Sequence, residues 1–336
     1  MNIAMVAPYD LNQTGGVEKY VLSFCEMAAR NTKLVLFTDT VFESGNYQIR
    51  SLVSVKTDPQ VYDICITHAI HGYSFLPRAR RYMHIFHGTI LGNLYARPWL
   101  VIHPSFLKWL LMEKRSMSQK NGIIGVSHQA CDEIKRMGFQ GQLRRIPSGG
   151  GSESHRYEDG LKSETLTIVF CGRTRDKVKR FQWILEGFIL ARKKYPEIEL
   201  RVLGPGCEGI AIQGVHFLGK LEAHEVHKEF SKAHIQLNAS YYEGSSLALA
   251  EGVLLGGLVS LVTPVGGNQD IIEHGSTGYF FKTPHELASY LCKLAENQKL
   301  LKNLLANVQR QKFQWTWEKV VSDVLDFGLD LLNEGS

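Results

Sequence analysis

Residues 238–281 read NASYYEGSSLALAEGVLLGGLVSLVTPVGGNQDIIEHGSTGYFF, and this stretch decides the fold class. Its first residues close an apolar run, HIQLNA (234–239), that predicts a strand ending near Ser240. A helical pattern over 245–255 follows, then a second apolar run, LVSLVT (258–263), and a further helical segment near 268–274. The second run does not alternate apolar with polar residues. Strands buried on both faces of a parallel sheet look like this, and the strand–helix–strand order agrees.

The pattern extends in both directions. Upstream, TLTIVF (165–170), IELRVL (198–203) and GVHFLG (214–219) predict strands, separated by helical segments near 179–194 and 223–232. From His285 to Leu332 the chain reads as helices only. The Gly/Ser-rich stretch PSGGGSESHRYEDG (147–160) interrupts the alternation and predicts a linker. Before it lie IAMVA (3–7), KLVLFT (33–38), DICIT (63–67), YMHIF (82–86) and GIIGV (122–126) as strands. Between the first two, GVEKYVLSFCEMAAR places Val17, Val21, Phe24 and Ala28 on one helical face. A chain of 336 residues is long enough for two domains. The predicted division is 1–147, a linker over 148–163, a second domain over 164–314 and a final helical segment over 315–336. The fold class is α/β, two Rossmann-like, doubly wound parallel-sheet domains. Open parallel sheets bind ligands beyond the carboxyl ends of their strands, so two of them facing across a hinge would enclose a cleft.

Composition narrows the function classes. Hydrophobic content of 44% and charged content of 21% are ordinary for a globular chain. The six cysteines are widely spaced with no C-x-x-C pair, which argues against a zinc site or disulfide framework and fits a reducing cytosol. MNIAMVAPYD reads as a buried strand, not a signal peptide, and no run of about 18 apolar residues occurs. Residues 1–150 carry 17 Lys+Arg against 10 Asp+Glu, whereas the remainder carries 21 against 23. An anionic partner of the first half, a membrane surface or a phosphorylated acceptor, is expected; solvated helix faces are the alternative. Nothing points to nucleic acid.

The chemistry-bearing residues centre on the opening stretch. Backbone N–H groups near Ser245, Ser246 and Leu247 begin a helix, and with the helix dipole they form an anion site. Glu243 lies just before this turn and Glu251 eight residues later, about 12 Å away if the span were helical throughout. A carboxylate at each end of a phosphate-binding turn suits a nucleotide sugar, one holding sugar hydroxyls and the other ribose hydroxyls. The competing reading is a capping Glu243 and an exposed Glu251.

The motif E-x7-E, followed by Pro264-Val265-Gly266-Gly267, Asp270-Ile271-Ile272 and Gly275 to Gly278, resembles the retaining glycosyltransferases of family 4, which have the GT-B fold. The resemblance implies that Glu243 lies by the transferred sugar and Glu251 binds the ribose of the donor. It implies an acceptor-binding first domain, a donor-binding second domain and a C-terminal helix that crosses back to the first. In FCGRTRDKVKRF (170–181), Arg173 and Lys179 match the family's diphosphate-contacting Arg and Lys, with Lys177 competing for the lysine. Cationic side chains stabilise the charge of a departing diphosphate, and the absence of a D-x-D motif fits metal independence. In APYDLNQTGGVEKY (7–20), Gly15 and Gly16 resemble the Gly-rich loop that lies over the donor diphosphate and sugar. His87, in HIFHGT (84–89), falls where family members place a histidine near the sugar, and His68 and His71 are candidates for the acceptor side. Leu218 and Lys220 fall where family members contact the base.

Departures from the family pattern concern the sugar. The usual E-G-F-P is Glu243-Gly244-Ser245-Ser246, the inter-domain N-G-V-D is Ser148-Gly149-Gly150, and Asp270 replaces the common Glu. From Phe106 onward, Leu107, Leu110 and Leu111 with Lys108 and Arg115 predict an amphipathic interfacial helix, which would contact an anionic membrane peripherally. The expectation is a cytoplasmic, metal-independent, retaining glycosyltransferase, at the inner face of the membrane, without a cofactor. It would transfer a sugar from a nucleoside diphosphate sugar, of UDP or GDP, to a glycan or lipid-linked acceptor in bacterial-type cell-surface polysaccharide, lipopolysaccharide or glycolipid synthesis. The alternatives are a nucleotide-sugar epimerase on the same fold and a non-catalytic nucleotide-sugar-binding subunit.

Overall fold

The computed structural model describes all residues except 13–14, 41, 69–71, 119, 153–161, 207–209 and 335–336, so most of the expected linker lies outside the described residues. The chain forms two compact units, one of residues 1–148 with 317–336 and the other of residues 149–316.

Unit 1 is built on seven parallel strands: β1 (Asn2–Val6), β2 (Lys33–Phe37), β3 (Gln48–Arg50), β4 (Tyr62–His68), β5 (Ala79–Phe86), β6 (Gly122–Gly125) and β7 (Gln142–Arg145). Their order across the sheet is β3-β2-β1-β4-β5-β6-β7. β1 and β6 are buried along almost their whole length, as their unbroken apolar runs require. The edge strands β3 (QIR) and β7 (QLRR) are short and polar, which keeps their open hydrogen-bonding edges from recruiting another chain. Four helices connect them: α1 (Gly16–Ala28), α2 (Ile90–Ala96), α3 (Phe106–Ser118) and α4 (His128–Arg136). α4 starts at Ser127, whose hydroxyl accepts the Ala130 N–H at 3.1 Å, a cap worth about 1 kcal/mol.

Unit 2 repeats the design with six parallel strands: β8 (Thr167–Cys171), β9 (Glu199–Leu203), β10 (Val215–Gly219), β11 (Ile235–Asn238), β12 (Val259–Val262) and β13 (Gly278–Phe280). The order is β10-β9-β8-β11-β12-β13. Around this sheet lie α5 (Phe181–Arg192), α6 (Ala223–Lys232), α7 (Leu247–Gly256), α8 (Asn268–Ile271), α9 (Pro284–Glu296) and α10 (Gln298–Gln311). In both sheets the strand order reverses beside the first strand, between β1 and β4 and between β8 and β11. Such a reversal opens a crevice at the carboxyl ends of the two strands, because the connections leave in opposite directions.

The last helix, α11 (Trp317–Asn333), is part of unit 1, where it packs against α1 and β5. Its Phe327 and Leu331 fit over Gly122, where a Cβ would come within 2.8 Å of both. Arg81 Nε donates to the Leu331 carbonyl at 2.7 Å, and Arg144 pairs with Asp330 at 2.7 Å. Among the described residues no helix is long and apolar enough to cross a membrane.

Candidate active site

In unit 2 the candidate groups gather at the β8/β11 reversal. The chain leaves β8 at Cys171 and makes a 3₁₀ turn over Lys177–Lys179 before α5. Asp176 caps that turn, its Oδ1 accepting the Val178 N–H at 3.0 Å. Arg180 then takes a left-handed conformation, φ 47° and ψ 46°, the only non-glycine residue with positive φ among the described residues. Its guanidinium lies over the Trp183 and Tyr241 rings, at 3.9 and 4.1 Å from their centroids. It donates to the Ala239 carbonyl at 2.5 Å and the Ser240 carbonyl at 3.1 Å, and Tyr241 N–H donates to the Val178 carbonyl at 2.9 Å. The lysine loop is thereby clamped onto the end of β11, at the expense of backbone strain of about 1–2 kcal/mol.

Lys179 Nζ donates to Glu243 Oε1 at 2.5 Å. The same oxygen accepts Ser240 Oγ at 2.7 Å and Asn238 Nδ2 at 3.2 Å, whereas Oε2 takes no hydrogen bond from a described residue. Burial, which leaves Glu243 9% exposed, pushes its carboxyl up. The Lys179 ammonium, Ser240 and Asn238 outweigh that and hold it below the ordinary carboxylate range. The Glu243 carbonyl accepts Gly267 N–H at 3.0 Å, and at Gly266, with φ 45°, a Cβ would lie 1.6 Å from that carbonyl oxygen. Only glycine permits this approach, so the double glycine of the sequence motif serves to seat Glu243.

The sequence expects Ser245, Ser246 and Leu247 in the first turn of the next helix. The structure starts α7 at Leu247, and Ser246 is its cap: the hydroxyl accepts Leu249 N–H at 3.4 Å and the Asn238 amide at 3.3 Å. The Ser246 oxygen therefore serves its own helix, while the N-terminus of α7 faces the same strand ends. Glu251 is in the second turn of α7 and 6% exposed, not a surface side chain. Gly150 passes so close to α7 that a Cβ would meet the Glu251 nitrogen at 2.6 Å.

Other expected residues stand apart from this cluster. The Arg173 guanidinium is turned to Asp176, at 2.8 Å, and is 65% exposed. Lys177 is exposed on the 3₁₀ turn, so of the two competing lysines it is Lys179 that meets Glu243. Leu218 is the penultimate residue of β10 and Lys220 lies one residue beyond it, two strands from β8. The residues that sequence reasoning missed are Asn238, Ser240, Arg180 and Tyr241. Asn238 and Ser240 are a polar interruption at the end of an apolar strand, which is a usable signal. A left-handed arginine leaves no mark in sequence.

In unit 1, Gly15 precedes α1 and Gly16 opens it, with the Glu18 carboxylate folded back against Gly15. Gln13, Thr14 and His71 lie outside the described residues. His87 is one residue beyond β5, and its Nε2 is 2.9 Å from Nδ1 of His68, which ends β4. Burial pushes the His87 imidazole down to about 3 and His68 well below the histidine range. The Tyr20 ring packs edge-on against His87, with centroids 4.6 Å apart.

Two doubly wound sheets, with candidate groups at the reversal of each and a final helix built into the first unit, are the GT-B fold of glycosyltransferases. Residues 165–297 match the family model for Glycosyl transferases group 1. A frog protein, Glycosyltransferase 1 domain-containing protein 1 of Xenopus tropicalis, is 25% identical over 209 residues, 57% of this chain. The match spans 60% of that protein's own length. Among solved structures, sucrose-phosphate synthase from Thermosynechococcus elongatus superposes with a TM-score of 0.79 at 17% identity, covering 99% of both chains. Anabaena HepE, in complex with UDP and glucose, superposes with a TM-score of 0.76 at 15% identity, covering 97% of this chain and 99% of that one.

Proposed function

We propose that the protein is a retaining glycosyltransferase that moves a sugar from a nucleoside diphosphate sugar to a hydroxyl of a glycan or lipid-linked acceptor. The observation that carries this reading is the Lys179–Glu243 pair at the β8/β11 reversal. There a cation stands ready for a diphosphate, and a carboxylate whose Oε2 takes no hydrogen bond among the described residues stands ready for sugar hydroxyls. Lys179, Arg173 and the N-terminus of α7 stabilise the departing diphosphate, a role that needs no metal. Arg173 turns from Asp176 to do so. Glu243 orients the sugar, Glu251 holds the ribose, and Leu218 and Lys220 border the base. On the family resemblance, Gly15 and Gly16 cover the diphosphate and His87 meets the transferred sugar. The bond from the anomeric carbon to the phosphate oxygen breaks as the acceptor oxygen attacks the same face. The acceptor's proton passes to the departing phosphate, so configuration is retained. The UDP bound by HepE supports a UDP donor, with GDP as the alternative.

Glu251→Ala is expected chiefly to weaken donor binding, and Arg173→Ala chiefly to lower turnover. Wild-type kinetics in both variants would refute the assignment. A thermal-shift screen against UDP-, GDP-, ADP- and CMP-sugars identifies the donor, since a binder at 100 times its Kd stabilises by about 2.7 kcal/mol. Conversion of the donor without an acceptor would indicate an epimerase; binding without turnover, a binding subunit.

The acceptor side is proposed to rest on an anionic bilayer at the cytoplasmic face of the membrane, where lipid-linked acceptors of cell-surface polysaccharide are glycosylated. In α3 and the 3₁₀ turn before it, Trp99, Val101, Ile102, Leu107 and Leu111 are all exposed, Ile102 by 84%. Lys108, Lys114 and Arg115 lie among them, and residues 1–150 carry the chain's excess of positive charge. α3 buries Met112, Glu113, Ser116 and Met117 against its own unit, so the leucine side faces outward. Vesicles of phosphatidylserine should sediment the protein in low salt and Trp99→Ala/Ile102→Ser should abolish this. Absence of wild-type sedimentation removes the membrane.

A further inference from the structure

Met5, His68 and His87 form a line across three neighbouring strands of unit 1. Met5 is in the middle of β1, His68 ends β4 beside it, and His87 follows β5 on the far side of β4. Met5 and His68 are fully buried. His68 Nε2 lies 2.7 Å from Met5 Sδ, and His68 Nδ1 lies 2.9 Å from His87 Nε2.

These contacts determine the protons. A thioether sulfur accepts but cannot donate, and two bare lone pairs would repel at such a separation, so His68 Nε2 carries its proton toward Met5. Burial, with His87 and His84 adding to it, keeps His68 neutral. Its Nδ1 is then bare and accepts. The proton of the second contact therefore sits on His87 Nε2. Because His87 is neutral too, its Nδ1 is a bare acceptor, and no described residue hydrogen-bonds to it. The ring is held in place by the edge of Tyr20, itself packed at 5.2 Å on Trp317.

We propose that Met5 and His68 are positioning residues that fix His87 in its Nε2–H tautomer and so make its Nδ1 an obligate hydrogen-bond acceptor for a substrate hydroxyl. The consequence for substrate rests on the reading that His87 meets the transferred sugar. A bare nitrogen accepts from a hydroxyl, whereas a carboxylate offers no proton and a methyl group offers neither. The sugar carries a free hydroxyl at the atom facing His87; a donor deoxygenated there, or oxidised to a uronate, is rejected by about tenfold to a hundredfold in kcat/KM.

The tautomer is testable without substrate. Long-range ¹H–¹⁵N correlation NMR of the full chain, with His87 and His68 assigned by single substitution, distinguishes protonated from bare ring nitrogens. Both Nε2 atoms should be protonated and both Nδ1 atoms bare from pH 6 to pH 8. Met5→Leu keeps the volume and removes the acceptor, so His68 should redistribute toward Nδ1–H and His87 should reverse its tautomer with it. His68→Gln should disturb His87 in the same way if Met5→Leu fails to fold. A protonated His87 Nδ1 in the wild type, or a His87 tautomer indifferent to both substitutions, overturns the proposal. With the cognate donor in hand, Met5→Leu should also lose the discrimination against the deoxy-sugar. A tautomer reversal that leaves sugar discrimination untouched would place His87 away from the sugar and overturn that reading separately.

Discussion

Replacing Lys179 by methionine keeps the aliphatic stem and removes the ammonium from Glu243 Oε1, 2.5 Å away. At an effective dielectric of 20, two unit charges at that separation attract by about 7 kcal/mol before desolvation is subtracted. Removing one partner of a buried pair typically costs about 3–5 kcal/mol. Here Lys179 keeps 26% exposure, and Ser240 and Asn238 still donate to the carboxylate. The expected loss at pH 7.5 is therefore about 2–3 kcal/mol. Its pH dependence has a definite sign. In the wild type the Glu243 pKa is depressed, so its contribution is present above the unfolded value of about 4.3 and lost as pH falls through the folded value. In Lys179→Met burial dominates and the folded pKa rises above the unfolded one. That contribution is present at low pH and lost as pH rises. The gap between the two proteins should open from under about 1 kcal/mol at pH 4.5 to the full loss at pH 7.5. Urea unfolding of wild type, Lys179→Met, Glu243→Gln and the double variant at both pH values measures it. Additive single losses, or a gap independent of pH, would refute the idea that the ammonium compensates the buried carboxylate.

Arg180→Ala should lower the melting temperature more than Arg180→Gly, because both lose the stacking and the hydrogen bonds to the Ala239 and Ser240 carbonyls, but only alanine keeps the unfavourable φ of 47°. Gly266→Ala brings a Cβ to 1.6 Å from the Glu243 carbonyl and should cost more than about 3 kcal/mol, seen as a lower melting temperature and lost donor binding. In unit 1, burial pushes Glu113 up to about 7, opposed by the Ile90 N–H and helped by Glu133. A raised folded pKa means that stability present at pH 5 is lost as pH passes 7. Glu113→Gln should flatten the decline in melting temperature between pH 5.5 and pH 8.

The sequence shows the sheets because most of their strands fall in largely apolar runs of five or six residues, and it misses β3, β7 and β13, which lie in no such run. Gln48-Ile49-Arg50 and Gln142-Leu143-Arg144-Arg145 carry the polar residues that a sheet edge needs, so they look like loop. The motif around Glu243 is legible since Gly266 and Gly267 serve a close approach that only glycine permits. What sequence withholds is which side chains meet. Arg173 and Lys179 look equivalent in FCGRTRDKVKRF, yet Asp176 draws one away and Glu243 takes the other. His68 and Met5 are 63 positions apart and become neighbours only when β1 and β4 pair.

The enclosure of residues 149–316 between two stretches of unit 1 also sets an order of assembly. A ribosome delivers the whole of unit 2 before it delivers α11, so unit 2 can fold while unit 1 still lacks a piece. Until then Gly122, Ile64 and Met83 present to water the surface that Phe327, Gly328 and Leu331 will cover. The N-terminal half, first to be made, is the last to be finished, and it waits with an exposed apolar face for as long as translation of 168 intervening residues takes. A chaperone that shields apolar surface would find its substrate in that interval.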